Sequence, residues 1–571
     1  MTSQVVNKVL GPGGVTPLSE VRGYCCFTQP VAPWRVLVPV HKMPRPKPPG
    51  CLKVQCVRSI VNNMDKYWCQ DYMQNWLDQS KSYLFVLGPF EDLPSPLIEL
   101  IIEELNTSGK LRKHHLHLLL LYHLERLVLT RCTSEFGYII SLCAVRCKKL
   151  RHIGLKGRTL PRKILNEMFK SLSLLQTVDL SQTNVTDQTI SVISAYCKHV
   201  RVLNLSDTDV TDMGVSSLCH GIMSSDILPT EKPHISKSII KLDLYGTAVT
   251  DKGIQCALVN LPNLQEITHS TLLYALANLK KSREKMAEVS VDIGSIVPEF
   301  GPLKLRFLQC DEFGSGNLGH FANAQFINPA INLCPNIQYV HLRDLGNIKT
   351  DSLLPLLTLN NVIDLVLEFN GPNQVSFCTQ IVPLLHKHGE TLRNLQLRFV
   401  ANINLIVIAY LCPELNTLSL DGLNTYSDYD PSKVHAVPRD VKPSFSHLKS
   451  ININCAPISE VLALTFHVPT DGLRLILESP VLEKIIVIEQ DNLNDEILIN
   501  AVRTSKFPRL RLLSLTQCKN ITIESIRYVI RLNNPLETLH IIYCQNITNV
   551  DYHKLEKYVE KQRLLVELAW F

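Results

Sequence analysis

The feature that most restricts this chain is a recurring template. The segments LQTVDLSQTNVTD (175–187), VRVLNLSDTDVTD (200–212) and IIKLDLYGTAVTD (239–251) are copies of LxxLxLxxTxVTD with aliphatic exchanges. The same skeleton continues in LERLVLTRC (124–132), LRHIGLKG (150–157), IQYVHLRDLGNIKTD (337–351), VIDLVLEFN (362–370), LRNLQLRF (392–399) and LNTLSLDG (415–422). It closes with LEKIIVIEQ (482–490), LRLLSLTQCKNIT (510–522), LETLHIIYCQNIT (536–548) and LVELAWF (565–571). Roughly a dozen units, several at a spacing of about 25 residues, predict a stack in which each unit buries its apolar face only against its neighbours. The LxLxL alternation makes a short strand whose apolar residues enter a shared core. A helix then returns the chain, as in DQTISVISAYCKHV (187–200). Asp187, Asp212 and Asp251 fall where a helix N-cap is wanted.

These units are identified as leucine-rich repeats. The fold expected is therefore α/β, a leucine-rich-repeat solenoid over 124–571 with an N-terminal helical region at 51–123. Cys197, Cys334 and Cys412, each just before the next strand, resemble the cysteine-containing subclass found in F-box receptors and antagonist-of-mitotic-exit proteins. Two stretches break the period. Residues 268–333 carry a predicted helix, TLLYALANLKKSREKMAEV, and a glycine-rich loop, DEFGSGNLGHF; residues 422–446 are rich in Tyr, Asp and Pro. Both read as surface insertions, which repeat arrays absorb readily and which can also form part of a binding rim.

Charge is informative through its location. Of the formal +6, residues 1–50 carry six Lys/Arg (Lys8, Arg22, Arg35, Lys42, Arg45, Lys47) against Glu20 alone, a net +5, leaving +1 for residues 51–571. A near-neutral body argues against nucleic acid as the partner. The proline-rich basic leader, 1–50, is expected to be disordered. The start MTSQVVNKVLGPGG lacks an apolar stretch of signal-peptide length, and the longest apolar run, LHLLLLYHL at 116–124, is too short to span a bilayer. Eighteen scattered cysteines without CxxC spacing read as reduced, mostly buried thiols. A cytoplasmic or nuclear location is expected.

The repeat template does not explain PPGCLKVQCVRSIVNNMDKYW (48–68). Leu52, Cys56 and Ile60 lie at i, i+4 and i+8 on one helical face, with Val57 and Val61 flanking. Further on, FEDLPSPLIELIIEEL (90–105) opens a second apolar helix, and Pro94 and Pro96 suit its first turn. Sealing the end of the array is one use of such helices. Docking into a partner's groove is another, and one cap can serve both.

At these residues the chain resembles VHL-box and SOCS-box proteins, whose BC-box reads Leu-x-x-x-Cys-x-x-x-aliphatic. The resemblance implies that Leu52 enters a pocket on elongin C, that Cys56 packs beside it, and that Ile60 holds the third position. Leu93, Pro94 and Leu97 match a cullin box, which selects the cullin. The order of BC-box, gap, Leu-Pro helix and repeats is similar to that of zyg-type and zer-type cullin-2 adaptors. Cys51 stands where a small or polar residue is usual, and the gap is long for a VHL protein. Leu-Pro-x-x-Leu also opens an F-box, which would bring a Skp-type adaptor and cullin-1.

Catalytic signatures are missing from the sequence. GPGGV (11–15) lacks the Lys-Ser/Thr step of a phosphate loop. KHHLH (113–117) sets His114, His115 and His117 together without a carboxylate or cysteine at ligand spacing, so they read as exposed polar helix residues and no metal is expected. Cys143 and Cys147, one turn apart, read as packing thiols. His386 and His388 read as a helix end closed by Gly389. No cofactor is expected, and the chain is not expected to be an enzyme.

The positions between the strand leucines face solvent. They mix charges of both signs with Tyr245, Tyr339, His341, Arg343 and Arg398 near the middle, which suits a protein substrate better than a polyanion. The expected function is a substrate receptor of a cullin-RING ubiquitin ligase. The alternative is a repeat scaffold with no ubiquitin link.

Overall fold

The computed structural model describes residues 52–70, 90–129, 136–221, 234–293, 301–310, 322–346, 351–369, 375–422, 444–455, 467–532, 534–562 and 564–570. The leader 1–50, the glycine-rich loop 311–321 and most of the 422–446 stretch lie outside them.

Among the described residues three helices precede the repeats: α1 (Leu52–Met64), which runs on into a wider turn over Asp65–Cys69, α2 (Ser95–Thr107) and α3 (Lys113–Leu119). Strand and helix then alternate: β1 (Arg126–Val128), α4 (Phe136–Arg146), β2 (His152–Gly154), α5 (Arg162–Ser171), β3 (Thr177–Asp179), α6 (Asp187–Tyr196), β4 (Val202–Asn204), α7 (Asp212–His220), β5 (Lys241–Asp243), α8 (Asp251–Asn260), β6 (Glu266–Thr268), α9 (Leu272–Ile293) and β7 (Phe307–Cys310). The second half continues with α10 (Ile327–Leu333), β8 (Tyr339–Gly346), β9 (Asp364–Phe369), α11 (Val382–His388), β10 (Asn394–Arg398), α12 (Leu405–Leu411), β11 (Thr417–Asp421) and β12 (Ser450–Asn454). It ends with α13 (Thr470–Leu477), β13 (Lys484–Ile488), α14 (Asp495–Ser505), β14 (Leu512–Thr516), α15 (Ile523–Arg531), β15 (Thr538–Ile542), α16 (Asn549–Lys561) and β16 (Glu567–Trp570).

Within each sheet these strands pair in parallel with their sequence neighbours, β1 to β6 in one sheet and β7 to β16 in another, and the two-residue strands Val375–Ser376 and Val400–Ala401 pair separately. Between them, the backbone N–H groups of Arg306 and Phe307 both donate to the Gln265 carbonyl. Residues 272–293 and 301–310, expected as part of an insertion, therefore hold a return helix, the elongated α9, and the strand β7 that follows it. The fold is an α/β leucine-rich-repeat solenoid.

Register explains the template. Leu365, Leu395, Leu418, Ile451, Ile485, Leu513 and Leu539 are successive partners across seven strands, so one apolar position becomes a continuous buried ladder. The template threonine closes the turn after each strand. Thr183, Thr208 and Thr247 donate their hydroxyls to the carbonyls of Leu180, Leu205 and Leu244 at 2.6, 2.6 and 2.7 Å.

The aspartates sit one residue past the expected position. Thr186, Thr211 and Thr250 are the N-caps, and Asp187, Asp212 and Asp251 are the first helical residues. Both residue types cap helices, and spacing alone does not separate them. Each carboxylate that reaches a following cap joins two repeats. The N–H and hydroxyl of Thr211 donate to Asp187 at 2.8 and 2.6 Å, and those of Thr250 donate to Asp212 at the same distances. Asp495 receives Thr522 in the same way. A Cβ at Gly214 would stand 2.5 Å from Asp187 Oδ1, and one at Gly253 2.3 Å from Asp212 Oδ1, so the carboxylate of one repeat accounts for the glycine in the next.

Asp187→Ala should lower stability to urea by on the order of 2 kcal/mol, because two donors lose a charged acceptor. Thr211→Ala added to it should cost little more, since both act on one contact. Fully additive losses in the urea midpoints would show that this contact does not carry the stability.

Gly389 differs in kind from its expected role. It adopts right-handed helical angles (φ −57°, ψ −36°) and is not a left-handed terminator. Its neighbour His388 is the last residue of α11, the helix end expected, and is buried, hydrogen-bonding through Nε2 to the Leu356 carbonyl at 3.0 Å.

Candidate functional site

Helix α1 is apolar on two faces. Val57, Val61 and Met64 turn inward and join the core that holds Ile98, Ile101, Ile102 and Leu105 of α2. Arg58 and Glu104 form an ion pair at 3.6 Å, and Lys110 Nζ donates to Asn62 Oδ1 at 3.2 Å, beside that seam. On the other face Leu52 is 75% exposed and Cys56 is exposed. Ile60 lies between the faces, half-buried against the core. The BC-box spacing thus places two of its three residues in solvent, while the valines read as flanking it make the packing stripe.

The second motif is more enclosed. Pro94 is exposed, and Leu93 and Leu97 are half-buried. The Leu93 carbonyl lies 2.8 Å from His123 Nε2, and Ser95 Oγ accepts from the N–H of Glu125 while donating to Glu99. These bonds tie the start of α2 to the entry of β1.

On the solvent face of the second sheet, Phe307 and Tyr339 are register partners, stacked with ring centres 4.1 Å apart. His341 meets Asp364 at 3.2 Å, Arg343 meets Glu368 at 3.2 Å, and Arg398 reaches Asp421 at 3.0 Å and Glu368 at 3.8 Å. Gln396 also donates to Glu368. The structure places Tyr339, His341 and Arg343 on β8 and Arg398 at the end of β10, with their acidic partners on β9 and β11. Tyr245 lies apart, in the turn after β5 of the first sheet. The patch is a balanced lattice of both charges, suited to exchanging ion pairs with a protein surface and unlike the unopposed cations that phosphates require.

The KHHLH histidines are not the exposed set expected. His115 and His117 are buried, and the partners of His114 and His115 come from 49 and 50 residues upstream at Asp65. Burial alone would raise the Asp65 carboxyl. The hydrogen bonds from His115 and His114 outweigh it and hold the group below the usual carboxylate range. Burial pushes His117 down to about 4, with Arg146 and Lys113 acting the same way, and its ring stacks on Tyr138. Cys69, beside the pair, is pushed up to about 12 by burial and by the charge of Asp65. Distance in sequence hid this cluster. The one local signal was Asp65 and Cys69, four residues apart on one helical segment. Cys143 and Cys147 are both buried packing thiols, as their spacing suggested.

Among the described residues no helix is long and apolar enough to cross a membrane. No family model matches the chain. F-box/LRR-repeat protein 17 of Arabidopsis thaliana is 32% identical over 125 residues, and the match spans 19% of this chain and 19% of that protein. The Rad7 and Elc1 complex of yeast aligns at a TM-score of 0.32 with 14% identity, covering 91% of this chain and 98% of that one. A leucine-rich-repeat protein of Leptospira interrogans aligns at 0.34 with 13% identity, covering 86% and 98%. At these scores nothing about partners transfers.

Proposed function

We propose that this chain is the target-holding subunit of a cullin-RING ubiquitin ligase, attached through α1 to an adaptor of the elongin C type, with elongin B and a cullin-2 type scaffold completing the assembly. The observation that carries this reading is the outward stripe of α1. Leu52 is 75% exposed in BC-box spacing with Cys56, on a helix already anchored by a separate buried stripe. An exposed leucine on an ordered, anchored helix is the form a helix-in-groove contact takes. The solvent face with Tyr339, His341, Arg343 and Arg398 would hold the target protein, and Tyr245 would extend that surface along the first sheet. Function here is proximity: the receptor raises the concentration of target beside the transfer machinery and makes or breaks no bond itself. Cytosol and nucleus are where such a subunit would work.

A second reading is favoured by the F-box named in the Arabidopsis relative and by Leu93-Pro94-x-x-Leu97. Here α2 would dock a Skp-type adaptor and cullin-1. Affinity capture of the full chain from cells, probed for elongin B/C with cullin-2 and for Skp with cullin-1, separates the two. Elongin and cullin-2 should be recovered. Recovery of Skp and cullin-1 instead selects the second reading, and recovery of neither leaves a repeat scaffold without a ligase.

A further inference from the structure

Among the described residues one cluster joins a thiol, two imidazoles and a carboxylate. The turn that ends α1 widens to an i→i+5 bond, with the Gln70 N–H donating to the Asp65 carbonyl, and carries both Asp65 and Cys69. Such widened turns recur at functional sites. The first turn of α3 supplies His114 and His115. Asp65 Oδ1 lies 3.0 Å from His114 Nε2 and 2.7 Å from His115 Nε2, and one ligating atom from each of the four residues falls within 4.8 Å of all the others.

The donor set selects the ion. Calcium and magnesium take oxygen ligands, whereas sulfur with imidazole and a single carboxylate suits Zn²⁺. The cluster is enclosed on the protein side and open on the other. Cys69 and the His115 side chain are each 1% exposed, the His114 side chain 22% and that of Asp65 70%, so an ion can enter past Asp65. The two histidines have different roles. The backbone N–H of Arg112 donates to His115 Nδ1 at 3.1 Å, which assigns the ring proton to Nε2, facing Asp65. His115 is then a donor to the carboxylate and offers no lone pair there.

We propose that Asp65, Cys69 and His114 form a Zn²⁺ site, with His115 positioning the Asp65 carboxylate and water completing the coordination from the solvent side. Binding exchanges the thiol proton of Cys69, released to solvent, for the S–Zn bond. The ligands come from the end of α1 and the start of α3, so the ion staples the outermost helix to the cap. The proposal stands whichever adaptor α1 meets.

The test uses the full chain, reduced, stripped by chelator and titrated with Co²⁺ alone. One equivalent should bind, giving the near-ultraviolet thiolate-to-cobalt band and the visible bands of tetrahedral Co²⁺, all erased by one equivalent of Zn²⁺. Cys69→Ser should lose the thiolate band, and His114→Ala should bind about a hundred-fold more weakly. His115→Gln, which keeps a donor, should weaken binding by about ten-fold with the spectrum unchanged, as a positioning residue would. His114→Ala loses its hydrogen bond to Asp65 and some packing against the His115 ring, so the readout is the rise in melting temperature that Zn²⁺ adds to each metal-free protein, which should be far smaller for the variant than for the wild type at the same Zn²⁺ concentration. The proposal is overturned by no stoichiometric Co²⁺ uptake in the wild type, by a thiolate band that survives Cys69→Ser, or by His114→Ala titrating as the wild type does. In each case the cluster is a hydrogen-bonded clamp between helices.

Discussion

Changing Leu52 and Cys56 together to glutamate should abolish recovery of the elongin-type adaptor while leaving the melting temperature of the isolated chain where it was. The two halves of this result have separate causes. At 75% exposure Leu52 contributes little to its own fold, and surface substitutions of this kind move stability by no more than about 0.5 kcal/mol. Leu52 is also the first residue of α1, where a carboxylate is favoured by the helix dipole. In a docked complex the same side chain is buried. Losing a buried leucine forfeits about 2 kcal/mol, and forcing a carboxylate into an apolar pocket costs several more. At about 1.4 kcal/mol per decade, affinity should fall at least a hundred-fold. Val57→Glu on the inward stripe is the contrasting control and should lower the melting temperature. Adaptor binding by the double variant at wild-type affinity, measured on the immobilised chain, would falsify the docking assignment.

How much of this was legible in the sequence depended on whether the deciding contact was local. The strands could be read because the position that becomes Leu395, Leu418 and Leu513 must be apolar in every repeat to continue one ladder. The end of each strand could be read nearly as well, and the one-residue error between Thr211 and Asp212 arose because either side chain can cap. Helix α1 could be found but its faces could not be assigned. Leu52, Cys56, Val57 and Val61 are all apolar, and only the place of α2 decides which of them turn inward. The Asp65–Cys69–His114–His115 cluster was invisible for the same reason, since its halves lie 49 residues apart and meet only once α1 and α3 pack.

Gly389 shows the same limit and leads to the largest stability effect expected for a single added methyl. Its angles are helical, so intrinsic propensity argues that Gly389→Ala should stabilise the chain by about 1 kcal/mol. The surroundings argue the opposite. A Cβ there would lie 2.0 Å from the Leu411 carbonyl oxygen, 2.8 Å from its carbon and 2.5 Å from the Leu385 oxygen, all backbone atoms at the ends of α12 and α11. Neither helix end can yield cheaply. His388 is bonded to the Leu356 carbonyl, and the Thr391 hydroxyl donates to the Val362 carbonyl at 2.8 Å, pinning the exit of α11 to the preceding repeat. Cys412 hydrogen-bonds back to Ile408 and fixes the end of α12. With no flexible side chain to absorb the clash, the repeats must separate, and overpacking of this kind costs about 3 kcal/mol, more than propensity returns. Gly389→Ala should therefore lower the urea midpoint sharply, and a midpoint unchanged or raised would show that α11 and α12 do not approach as closely as this packing requires.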